Sequence, residues 1–197
     1  MQLTFLTPEN MLEIELNPFT DLETPRLKLR QVRNSDAPEI LFFRSDATIM
    51  RYLDREKLQT LADAETYIAG LDQAIAENNG INWGICPQNS DKLIGTIGLW
   101  RFIKPNHRGE IGYSLHPDLW GQGLMREALQ IVLNYGFEKL NLHSVEANIN
   151  PENNASRKLL EKLGFVQEAH FKEDYYFQGK FLDSVIFSLL NPAHKNQ

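Results

Sequence analysis

Cysteine is nearly absent from this chain: Cys86 is the only one in 197 residues. A single thiol closes no internal disulfide and builds no cysteine metal cluster. The five histidines, at 107, 116, 143, 170 and 194, show no ligand spacing, so no metal is expected. Basic charge is also in short supply. Twenty Lys and Arg stand against 26 Asp and Glu, a net charge of −6. That balance argues against nucleic acid held by bulk charge and mildly favours cationic substrates. No apolar run approaches the ~18 residues of a membrane helix. Residues 1–16 carry Glu9, Glu13 and Glu15 and no basic segment, unlike a secretory leader. A cytoplasmic protein, away from membranes and nucleic acid, is expected. With 42% hydrophobic residues, the chain is long enough for one domain with a real core.

The pattern of elements is mixed. Residues 1–20 read as an irregular extension punctuated by Pro8 and Pro18, with Phe5, Leu6, Met11, Leu12, Ile14 and Leu16 to pack on something. A homodimer contact is one use for it. The domain is expected over 21–191, with a tail at 192–197. Residues 26–32 alternate as a strand. Ser35 is read as the cap of a short helix, and Thr60 as the cap of a longer one that stops at Asn79-Gly80. Strands follow near 81–85, 93–102 and 110–115. A helix begins after the glycines near 123, a strand spans 145–149, and a helix over 157–163 closes at Gly164 with Phe165 placed against Leu160. Two last strands turn at Gln178-Gly179. The order β-α-α-β-β-β-α-β-α-β-β gives an α+β fold, a mixed and mostly antiparallel sheet flanked by helices. Its βαβ unit over 110–149 requires a parallel pair.

The chemistry gathers at Trp120-Gly121-Gln122-Gly123-Leu124-Met125-Arg126. Strand, glycine turn and helix in succession leave unpaired N–H groups at a helix start, which suits phosphate. A pyrophosphate is expected on the N–H groups of about Gln122 to Arg126, with Arg126 adding charge. Taken alone, the same glycines would serve a plain tight turn.

These segments resemble the GCN5-related N-acetyltransferases, and within them the ribosomal-protein N-terminal acetyltransferases. The family loop reads Gln/Arg-x-x-Gly-x-Gly/Ala; here Trp120, Gly123 and Met125 stand at its first, fourth and last positions. Asn153, Ser156, Glu161-Lys162 and Gly164-Phe165 fall on the family's second pattern. The strands around Gly95–Leu99 and Glu110–Tyr113 match as well. The resemblance implies a splayed parallel strand pair that receives acetyl-CoA, with no metal. It implies direct attack of a primary amine on the thioester in a ternary complex. A protein N-terminal amino group is the leading acceptor. A polyamine, amino acid or drug is the alternative, and a non-catalytic acyl-CoA-binding regulator is a third reading.

The resemblance also assigns roles. Ser114, Leu115 and His116 would lie beside the acetyl end, with the N–H near Leu115 polarising the carbonyl. Asn148 and Asn153 are candidates for hydrogen bonds to the cofactor, and Asn153 serves equally as a helix cap. Glu110 is the candidate general base, placed by alternation with Gly112 and Ser114 opposite Ile111, Tyr113 and Leu115; a solvated strand-edge glutamate is the plainer reading. Many relatives carry an acidic tyrosine where this chain has Leu160. Ser156 is then the candidate to meet the leaving sulfur, unless it too only caps the helix. Arg51, Tyr52, Trp100, Phe102, Tyr175 and Tyr176 are the candidates for the acceptor pocket, with Arg44 beside them. Cys86 has no base partner in view, so an acyl-cysteine is not expected.

Overall fold

The computed structural model describes residues 12–194. Eight strands form one sheet in the order β1-β2-β3-β4-β5-β6-β8-β7. They span Leu22–Glu23 (β1), Leu27–Gln31 (β2), Gly80–Pro87 (β3), Gly95–Ile103 (β4), Arg108–Leu115 (β5), Ser144–Ile149 (β6), Val166–Phe177 (β7) and Lys180–Leu190 (β8). The helices are Ala37–Ser45 (α1), Ala47–Met50 (α2), Leu61–Ala76 (α3), Leu124–Glu138 (α4) and Asn154–Lys162 (α5). The expected order holds, with the two-residue β1 and the one-turn α2 added. Every neighbouring pair is antiparallel except β5 and β6. That pair is the one the βαβ crossover demanded.

Two cores lie on the two faces of the sheet. Ile81, Trp83, Ile97, Leu99 and Ile111 meet the apolar stripe of α4 through Leu129 and Val132. On the other face Val32, Cys86 and Leu93 pack beneath α1 and α3 through Ile40, Phe43 and Ile68. Burial raises the Cys86 thiol pKa, with Arg30 opposing and Asp36 and Asp91 adding to it.

Several local expectations change. α1 starts from Asp36, not Ser35: the Arg33 N–H and the Arg30 guanidinium both reach the Asp36 carboxylate, at 2.7–2.8 Å. α3 ends where Asn78 turns left-handed at φ +55°, before Asn79-Gly80. Residues 12–20 are a packed part of the fold. Leu12, Ile14 and Leu16 are buried in the main core. The Leu16 N–H donates to Asn78, and the Trp83 indole donates to the Thr20 carbonyl. These three apolar residues pack within their own chain. Phe5, Leu6 and Met11 lie outside the described residues, as does the tail from 195.

Other expectations hold. Thr60 caps α3, with Asp63 reciprocating. Gly164 ends α5 at φ +88°, and the Phe165 N–H reaches the Leu160 carbonyl at 3.1 Å. Gln178 and Gly179 both take positive φ, the two-residue turn that matches strand twist. No helix of the described residues is long and apolar enough to cross a membrane.

Candidate active site

β5 and β6 pair only over Arg108–Glu110 and Ser144–Glu146. Beyond Glu110 the two strands separate, and the sheet opens. The His116 N–H donates to the Ile94 carbonyl at 2.9 Å. By alternation, the N–H groups of Gly112 and Ser114 face β4, while those of Ile111, Tyr113 and Leu115 face the gap. The Leu115 carbonyl is engaged by the Trp120 indole at 2.8 Å, and its N–H, facing the gap, has no backbone acceptor among the described residues. The family resemblance assigns a donor near this position to the thioester carbonyl.

The glycine loop lies at the end of the same strand. Gly121 and Gly123 take φ +75° and +77°. A Cβ at Gly121 would meet nothing and one at Gly123 only the tip of Arg26, so the demand is conformational and not steric. Among the described residues, no backbone or side-chain acceptor takes the N–H groups from Gly121 to Arg126. Arg26 holds the loop in place, bonding the Gln122 carbonyl at 3.1 Å and Glu127 at 2.6 Å. Met125 turns its side chain into the core, leaving its N–H to the loop, whereas Arg126 is exposed. Unclaimed donors at a helix start fit a phosphate group.

On the α1–α3 side of the gap lies a cleft of about 550 Å³. Glu110, Ser114, Trp100, Tyr52, Tyr175 and Asn148 line it. Its floor is flattened by glycine. A Cβ at Gly112 would sit 2.3 Å from the Trp100 ring, so the indole lies directly across that backbone. Glu110 is 6% exposed and accepts from Arg101 at 2.9 Å. It is therefore not the solvated edge glutamate of the plainer reading. Ser114 is joined to Thr96 at 3.0 Å. Tyr175 donates to the Asp54 carbonyl at 2.6 Å.

Not every expected residue reaches this cleft. β4 carries a bulge between Trp100 and Ile103, where Arg101 takes φ +49°. The extra residue reverses the alternation. Phe102 therefore packs on the opposite face, against Gly109 and Leu142. Arg51 lies over the Tyr52 ring and lines a smaller recess with Phe177 and Gln178. Tyr176 packs at a tilt against Phe181, both exposed to solvent. His116 is stacked on Phe42 and accepts the Asp118 N–H, which fixes the turn after β5. Asn153 caps α5, its Oδ1 holding the Ser156 N–H at 3.1 Å.

Two functional groups were not foreseen. The Arg101 guanidinium reaches Glu110 only because of the bulge. Tyr113, on the α4–α5 face of β5, has its hydroxyl 2.7 Å from Ser156 Oγ. Burial, partly offset by that hydrogen bond, pushes the Tyr113 hydroxyl up to about 12. A carboxylate and a hydroxyl pair thus stand on opposite faces of the strand that borders the gap.

Comparison with known proteins agrees with this geometry. The family model for the acetyltransferase (GNAT) domain matches residues 26–166. The chain is 34% identical over 174 residues to the uncharacterized N-acetyltransferase YoaA of Bacillus subtilis (strain 168), covering 88% of this chain and 98% of that one. Among solved structures, a ribosomal-protein-S5-alanine acetyltransferase from Vibrio fischeri superposes with a TM-score of 0.76 at 28% identity, covering 88% and 97% of the two chains. A spermidine N-acetyltransferase from Vibrio cholerae, in complex with CoA and spermine, superposes with a TM-score of 0.75 at 24% identity, covering 85% and 97%. The chain belongs to the GNAT acetyltransferase family, and it is an N-acetyltransferase.

Proposed function

We propose that this enzyme acetylates the N-terminal α-amino group of a protein, as on a ribosomal protein, by direct attack in a ternary complex with acetyl-CoA in the cytoplasm. The observation that carries the proposal is the buried Glu110 carboxylate at the head of an open cleft, beside the β5–β6 gap. A base in that position, acting through water, is sufficient for an α-amine of pKa ~7.7–8.0. It would be weak against a primary aliphatic amine near ~10.4.

Acetyl-CoA, when bound, supplies an activated thioester. The N–H groups from Gly121 to Arg126 and the Arg126 side chain would hold its pyrophosphate. The gap-facing backbone of β5, with Ser114, His116, Asn148 and Asn153 nearby, would hold its acetyl arm. Glu110 draws a proton from the incoming ammonium. The Leu115 N–H stabilises negative charge as it develops on the carbonyl oxygen. Ser156, with Tyr113 behind it, holds a proton for the departing thiolate. Tyr52, Trp100 and Tyr175 wall the acceptor.

The test is thiol release from acetyl-CoA with peptides and amines as acceptors. Turnover on peptides, lost in Glu110→Gln and Ser156→Ala, supports the reading. Turnover confined to polyamines would overturn the acceptor, and tight CoA binding without any turnover would favour a regulator.

A further inference from the structure

The charged groups lining the cleft differ in what satisfies them. Its four carboxylates all have donors. Glu110 accepts from Arg101 at 2.9 Å, and Asp174 accepts from Ser184 at 2.8 Å. Asp183 holds the Glu173 N–H and faces His170 and Lys172. Asp54 is hydrogen-bonded by the Asn150 side chain. Of the three guanidiniums, only Arg101 has a carboxylate. Arg44 and Arg55 have none within ion-pair distance among the described residues.

Arg44 is the more telling of the two. Its Nε is buried without a hydrogen-bond partner. Its guanidinium lies 5.0 Å over the Tyr67 ring, which fixes the plane of the fork. Burial pushes its pKa down; Tyr67 opposes that, and the nearby Arg55 adds to it. The end of α1 offers a favourable field, while the Phe42 and Arg44 carbonyls are already taken by the N–H groups of Asp46 and Leu58. A buried polar group without a partner is uncommon, and two like charges side by side compound the cost. In a chain of net charge −6, two unpaired guanidiniums in one cleft call for an anion from outside.

We infer that Arg44 and Arg55 form an anion subsite that takes a carboxylate borne by the acceptor close to its reacting amine. The inference rests on the α-amine reading above. A guanidinium fork matches the planar carboxylate with two parallel hydrogen bonds. An extended peptide advances ~3.3–3.6 Å per residue, so an Asp or Glu side chain at the second or third position stays within the cleft. The carboxylate of a free amino acid is the other source of the same group.

The experiment compares kcat/KM for peptides that share a first residue and carry Glu, Gln or Lys at positions two and three, beside free amino acids and their amides. The acidic peptides should exceed their Gln counterparts by roughly 10- to 100-fold. In Arg44→Gln and Arg55→Gln that preference should fall away through KM, with CoA affinity kept. Arg55 is exposed, so its variant keeps the test open should Arg44→Gln not fold. A preference for free amino acids over their amides, lost in the same variants, would assign the subsite to the second source. Equal turnover of acidic and neutral acceptors overturns the subsite and leaves the α-amine reading standing. No turnover on any peptide or amino acid, with CoA still bound, overturns both.

Discussion

The hydroxyls of Tyr113 and Ser156 lie 2.7 Å apart, joining the strand that borders the gap to the helix beyond it. With its pKa near 12, Tyr113 keeps its proton throughout the working range. Ser156 alone has no second proton to draw on; with Tyr113 behind it, a proton released from Oγ is replaced along one hydrogen bond. We expect Ser156→Ala to lower kcat by about 100-fold and Tyr113→Phe by about 10-fold. Tyr113→Phe should add nothing in the Ser156→Ala background. Fully additive losses would show that the two hydroxyls act apart.

Glu110 matters only while the amine carries its extra proton. An α-amine loses it near pH ~7.7–8.0. Glu110→Gln should therefore cost about 100-fold in kcat/KM near neutrality, and the deficit should shrink as pH rises past ~8. A pH–rate profile of both enzymes checks this. A deficit that stays constant to high pH would remove Glu110 from the base role.

Gly112 is fixed by the indole above it. In Gly112→Ala the new methyl would meet Trp100 at 2.3 Å, and the ring would have to leave the floor of the cleft. The expected cost is about 1–3 kcal/mol in urea unfolding, with a raised KM for acceptor and unchanged affinity for CoA. A wild-type acceptor KM would mean that Trp100 does not touch the acceptor.

The buried Arg30–Asp36 pair governs acid stability. Burial alone would raise the Asp36 carboxyl, but hydrogen bonds from Arg30 and from the Arg33 N–H outweigh it and hold the pKa below its ordinary value. A group lowered in this way contributes in full above its unfolded pKa of ~3.9 and loses that contribution as pH falls below it. Stability of the wild type should therefore drop more steeply on acidification below pH ~4 than that of Asp36→Asn. Asp36→Ala, which strands Arg30, should cost about 3–5 kcal/mol at neutral pH. Chemical unfolding across pH measures both.

Where the chain runs regularly, alternation and capping rules recovered it. Glu110 shares a face with Gly112 and Ser114, Thr60 caps α3, and Gly164 closes α5. Where one residue departs from the period, those rules failed. The bulge at Arg101 turned Phe102 away from the cleft and brought Arg101 onto Glu110, and nothing in the segment LWRFI marks an inserted residue. The Tyr113–Ser156 contact spans 43 positions and arises only when α5 folds back onto β5. Leu160 at the family's tyrosine position marked a missing acid; Tyr113, on a different element, stands beside Ser156, and no sequence pattern pairs the two. Arg44 was legible as a residue near the pocket; its want of a partner was not, because that depends on every carboxylate around it.

In the proposed reaction the gap and cleft bring an α-amine to acetyl-CoA with Glu110 as base. The most direct test is mass spectrometry of a peptide incubated with acetyl-CoA and enzyme, with fragmentation to locate the acetyl group. Acetyl is expected on the N-terminal nitrogen with wild type, and nearly none with Glu110→Gln at neutral pH. Acetyl on a lysine side chain, or an equal yield from Glu110→Gln, would contradict it.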